Sequence, residues 1–177
     1  MRRSDGQSRR SRLTSLVLVG GVGQLYQGDM DLGRLVVERI EQQGIGPGVL
    51  AEDLSYGAIA VCQRLEDLRP DALVLVGAAA RGRPPGTISR FEVGALAHSP
   101  DHLQGAIAEA ATGYVSIDLI LEVATALGAL PEHTVVIEVE PQSIAPSQQL
   151  SEMGRKAVEE ATVLVRRELE RWPARAG

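Results

Sequence analysis

Between Asp71 and Gly77 the chain runs Ala72-Leu73-Val74-Leu75-Val76 without a polar break. A continuous apolar run of this length, bounded by Pro70 on one side and glycine on the other, predicts a strand covered on both faces, the kind found at the centre of a parallel sheet. Such a strand needs helices above and below it. The flanking sequence supplies them, because segments of strand and helix character alternate along the 177 residues.

Ser15–Val19 reads as the first strand, followed by a glycine-rich loop from Gly20 to Gly28 and a helix from about Asp31 to Gln43 with Leu32, Leu35, Val36 and Ile40 on one stripe. Val49–Ala51 is a short strand, and a second helix carries Ala58, Val61, Cys62 and Leu65 up to Pro70. Thr87–Val93 alternates like a half-exposed edge strand. Ser99 and Pro100 open a helix reaching about Ala110. Ser116 to Leu127 forms another, stopping at Gly128. Thr134–Glu140 is the last strand, with Val135, Ile137 and Val139 alternating against Val136, Glu138 and Glu140. Ser151 caps a long final helix to about Trp172. The expectation is one α/β domain over residues 14–172, built as a three-layer α/β/α sandwich.

Residues 1–13 hold five arginines against one aspartate and no apolar periodicity, and are expected to form a disordered leader; 173–177 reads as a tail. The net charge is −5 and aromatics are 3%, so nothing resembles a basic, aromatic-bearing face for nucleic acid. No small-x-small cleavage site follows Leu13–Gly23, and no run of about 18 apolar residues occurs, so a cytoplasmic protein without membrane insertion is expected. The single cysteine, Cys62, excludes an internal disulfide and reads as a small core residue.

Chemistry-bearing patterns are sparse. Gly20-Gly21-Val22-Gly23 follows a strand, but a dinucleotide fingerprint would need glycine where Tyr26 stands, so the glycines read as a sharp turn at a strand end. Asp29, Asp31 and Asp53 fall just past strand ends, where α/β sheets place ligands; equally, Asp31 begins the first helix and Asp29 is solvated. His98 and His102 have i, i+4 spacing, but Pro100 places His98 before the helix, and His133 sits in a turn with no evident partner. There is no nucleophile elbow and no His-Glu-x-x-His helix.

Taken together, several segments resemble the nickel–iron hydrogenase maturation endopeptidases over roughly Leu16 to Leu169. They are Leu16-Val17-Leu18-Val19-Gly20-Gly21-Val22-Gly23-Gln24, Gly28-Asp29-Met30-Asp31-Leu32-Gly33, Asp53-Leu54-Ser55-Tyr56-Gly57, Pro85-Gly86-Thr87, Val115-Ser116-Ile117, Leu127-Gly128-Ala129-Leu130-Pro131 and Val139-Glu140-Pro141. The resemblance implies a mostly parallel five-stranded sheet and a protein that senses nickel in an immature hydrogenase large subunit before trimming its C-terminus. It also implies a metal-sensing set of Glu or Asp after the glycine turn, Asp at the end of the central strand, and His before a later helix. These positions fall on Met30, Gly77 and Gly113. Replacing carboxylates and imidazole with a thioether and two glycines removes the donors a divalent nickel ion needs.

The resulting expectation is a non-catalytic relative with no cofactor, an accessory, chaperone or scaffold holding a hydrogenase large-subunit or related metalloenzyme client. Its candidate cleft comprises Gly23, Gln24, Asp29, Met30, Asp31, Asp53, Tyr56, Gly77 and Gly113. Two alternatives stand beside it. One is an active nickel-dependent endopeptidase with a metal site relocated to Asp29 or Asp31 with Asp53 or His102. The other is a permanent structural subunit seated through the last helix and the edge strand.

Overall fold

The central strand forms where the apolar run predicts it and extends two residues further, through Gly77 and Ala78. In the computed structural model, which describes residues 15–94, 100–111 and 113–172, this segment is β3 (Ala72–Ala78), fully buried along its length. Around it lie β1 (Val17–Val22), β2 (Val49–Asp53), β4 (Ile88–Glu92) and β5 (His133–Val139), in the order β2-β1-β3-β5-β4. All neighbours are parallel except β4, which runs antiparallel to β5 at the edge. The expected leader and tail, together with His98 and Ser99, lie outside the described residues.

Among the described residues five helices cover the two faces: α1 (Leu32–Gln43), α2 (Ala58–Leu68), α3 (Pro100–Ala110), α4 (Ile117–Ala126) and α5 (Glu152–Glu170). Alternation along the strands sorts the core into two clusters. Leu18, Val22, Leu73, Leu75 and Val136 point toward α2, α3 and α4. Val17, Val19, Val74, Val76, Ile137 and Val139 point toward α1 and α5. The three-layer α/β/α sandwich is therefore the architecture. The apolar stripe of α5, Val158, Ala161 and Val165, is spent inside this core.

One boundary differs for an instructive reason. β1 does not turn at Gly20 but continues to Val22, and Gly21 serves helix packing: a Cβ there would lie 2.4 Å from the carbonyl oxygen of Gly33. Gly33 in turn leaves no room for a side chain, since its Cβ would meet the Val22 and Val76 carbonyls at 2.3 Å. The glycine pair lets α1 approach the sheet backbone directly. The chain turns later, through a short 3-10 segment at Gly28–Asp31.

Candidate functional site

The carboxyl ends of β1 and β2 and the approach to α4 enclose an open cleft of about 370 Å³, lined by Gly23, Gln24, Leu25, Asp53, Ser55, Tyr56 and the segment Gly113–Val115. Each wall is held by its own hydrogen bonds. Asp53 Oδ1 accepts the Ser55 backbone N–H at 3.0 Å and also the Ser55 hydroxyl, an Asx turn that reverses the chain after β2. Ser55 Oγ then accepts the Gly23 N–H at 2.9 Å, tying the ends of β1 and β2 together. Across the cleft, Gln24 Nε2 donates to the Val115 carbonyl at 3.1 Å. Gly113 adopts φ +83, a left-handed turn that favours glycine, and Ser116 caps α4 by accepting the Leu119 N–H.

The rim is aromatic in a chain poor in aromatics. Two of its three tyrosines, Tyr56 and Tyr114, line this edge with exposures of 51 and 46%, beside Leu25 at 57%, and Tyr26 follows Leu25 in the chain. Burial is the main reason that the Tyr56 phenol titrates above its ordinary range, followed by the nearby Glu52 carboxylate. Among the described residues Asp53 is the only carboxylate lining the cleft.

Five of the nine residues expected in the cleft therefore meet there: Gly23, Gln24, Asp53, Tyr56 and Gly113. The other four do not line it. Asp29 is fully buried rather than solvated, and accepts backbone N–H groups from Gln142 (2.9 Å), Ser143 (3.1 Å) and Ser151 (2.8 Å) as well as the Ser151 hydroxyl (2.7 Å). It organises the β5–α5 connection. Asp31 makes no side-chain cap but forms a two-pronged ion pair with Arg34, one turn along α1. Met30 packs against the apolar cluster between the sheet and α1 and α5. Gly77 is sealed: a Cβ there would lie 2.7 Å from the Val22 carbonyl oxygen and 3.1 Å from Ile117 Cδ1.

His133 also departs from expectation, opening β5 with its ring 4.8 Å from that of Trp172. His102 lies on α3, but its side chain is outside the described residues. Among the described residues no three His, Cys, Asp or Glu side chains converge so as to hold an ion.

A second polar cluster escaped the sequence reading. Glu138 and Glu140, expected as ordinary members of the alternation in the last strand, are both buried, Glu138 within β5 and Glu140 just past its end, and the irregular loop Arg81-Gly82-Arg83 folds over them. Arg81 reaches Asp118 and Glu138, and Arg83 reaches Glu138 and Glu140. For Glu140 burial pulls the carboxyl upward. Hydrogen bonds from the Arg81 backbone, the Arg83 side chain and the Arg83 and Gly82 backbones outweigh it and hold the group below the usual carboxylate range. Opposite charges in the loop and the strand were the available signal, but which strand faces the loop is fixed only by the register.

No protein-family model matches the chain, and no curated protein sequence does. Solved structures do. The hydrogenase 2 maturation peptidase from Thaumarchaeota archaeon SCGC_AB-539-E09 is 27% identical over 88% of this chain and 98% of its own, with a TM-score of 0.64. An endopeptidase from Escherichia coli is 24% identical over 90% and 94%, with a TM-score of 0.68. The HycI maturation protease from Thermococcus kodakarensis KOD1 is 19% identical over 89% and 94%, at 0.63. The class defined by sheet, helices and cleft is an α/β/α domain of the maturation-protease type. The likeness to the archaeal peptidase, carried along nearly the whole of both chains, supports membership of the hydrogenase maturation protease family.

Proposed function

We propose that this chain is a non-catalytic member of its family, a cytoplasmic accessory or chaperone-like protein that holds a segment of a hydrogenase large subunit, or of a related metalloenzyme, without cutting it. One observation carries the reading: the three positions where the family resemblance calls for metal ligands offer no such set. Met30 lies partly buried against the core, Gly77 has no space for a side chain, and Gly113 presents only backbone. The nearby acids that would form a relocated site are occupied, Asp29 by backbone amides and Asp31 by Arg34. These residues do not fit nickel.

The surviving cleft suits an extended segment of protein chain. Tyrosine rings give large contact area at small cost in side-chain entropy, and an exposed apolar rim of this kind marks an interaction site. No described helix is long and apolar enough to cross a membrane, which accords with a client met in solution. The apolar stripe of α5 faces its own sheet, so it offers no ready seat for a permanent larger assembly.

The test is to mix the purified chain with a nickel-loaded large-subunit precursor. A complex that co-migrates on gel filtration, with the precursor's mass unchanged and the affinity lowered about tenfold or more in Tyr56→Ala/Tyr114→Ala, is expected. A shortened precursor would overturn the non-catalytic reading, and no complex at micromolar concentrations would overturn the client.

A further inference from the structure

The start of α4 forms one wall of the cleft, and it is fixed from two sides. On the cleft side Gln24 holds the Val115 carbonyl. On the outer side stands Arg81, from the loop after β3. Its Nη1 donates to Asp118 Oδ2 at 2.8 Å and its Nη2 to Asp118 Oδ1 at 2.7 Å, a two-pronged fork onto the first turn of α4. The same Nη2 donates to Glu138 Oε2 at 3.0 Å.

Glu138 is paired in register with Gly77 and shares the sheet face of Leu73, Leu75 and Val136, the face that α4 covers. One guanidinium thus bridges a helix and the sheet beneath it. Ile117, between Val115 and Asp118, fills the space against Gly77.

We propose that Arg81 is a positioning residue for the cleft: a resident cation shared by Asp118 and Glu138 that sets where α4 begins and so where the Gly113–Val115 wall stands. The chemistry requires an arginine. A planar fork can give two parallel hydrogen bonds to one carboxylate while sharing a nitrogen with a second, whereas an ammonium is a point charge on a flexible stem. Glu138 is buried and keeps Arg83 as a further partner, with Arg83 Nη2 at 2.9 Å from Oε1. Loss of Arg81 therefore loosens the helix start more than it strands the buried acid. The Asp118 end is half exposed, so its contribution to global stability is small and its effect is local.

Hydrogen exchange by mass spectrometry on the free protein tests this without any client, so its outcome is separate from that of the functional reading. Arg81→Lys and Asp118→Asn should each speed exchange of the first bonded amides of α4, residues 119–122, about tenfold while the urea midpoint and exchange in β1 and β3 stay unchanged. In Arg81→Ala, millimolar methylguanidinium should restore the slow exchange, and the same concentration of sodium chloride should not. Unchanged exchange at 119–122 in folded Arg81→Lys and Asp118→Asn overturns the proposal. So does faster exchange spread evenly over the whole sheet, or an Arg81→Ala protein that methylguanidinium leaves loose.

Discussion

The Ser151 hydroxyl donates to the Asp29 carboxylate at 2.7 Å while its own oxygen accepts the Gly154 N–H at 2.9 Å, so one serine is both the cap of α5 and the link from that helix to the turn after β1. Residues 122 positions apart are locked into one unit. Asp29→Ala leaves three backbone donors and a hydroxyl unpaired in a buried place, and is expected to cost about 3 kcal/mol or more in urea denaturation. Asp29→Asn, which keeps an acceptor, should cost less. Gly154→Ala should also destabilise, by about 1–3 kcal/mol, since its Cβ would lie 2.2 Å from Asp29 Oδ1.

Gly77→Asp places a carboxylate where the family resemblance calls for one. The added Cβ would press on the Val22 backbone carbonyl at 2.7 Å, which cannot move aside as a side chain can. A loss of about 1–3 kcal/mol is expected, with no gain of nickel binding in calorimetry, because Met30 and Gly113 still supply no partner. Stoichiometric nickel uptake by this variant would contradict the account of the sealed site.

Glu140 predicts a pH dependence of definite sign. Its folded-state carboxyl sits below the ordinary value of 4.5, so it stabilises the fold above that value and the benefit fades as pH falls through the lowered folded value. Wild type should exceed Glu140→Gln in stability at neutral pH, with the gap constant down to about pH 5 and closing below it. Parallel unfolding curves at several pH values measure the gap; one that widens in acid would refute the assignment.

Cys62 lies buried on α2, and burial, with a smaller push from Glu66, raises its thiol to about 11. The thiolate is the reactive species, so native protein at pH 8 should label with a maleimide many times more slowly than denatured protein. Equal rates in the two states would mean that α2 opens readily.

The fold was legible because apolar runs and caps are local. Ala72–Val76 announced the central strand, and Ser116 and Ser151 marked two helix starts that their side-chain hydrogen bonds realise. The nine cleft residues were only half legible. Asp53 and Tyr56 reach the cleft because strand ends lead there, but whether Asp29 faced water or backbone depended on a connection more than a hundred residues away. Gly20 and Gly21 misled for a similar reason. They looked like a turn, yet Gly21 makes room for a helix carbonyl, a requirement that belongs to α1 and not to the strand's own sequence. The Arg81–Glu138 contact was hidden behind strand register in the same way.

The placement of Tyr56 and Tyr114 at one rim makes the molecule report on itself optically. Two of the three phenols in the chain line that edge, so ultraviolet difference spectra near the phenolic band are weighted toward events at the cleft mouth. An alkaline titration should resolve Tyr56 as the phenol held back by burial and by Glu52. A guest that covers the rim would perturb that band with no label attached.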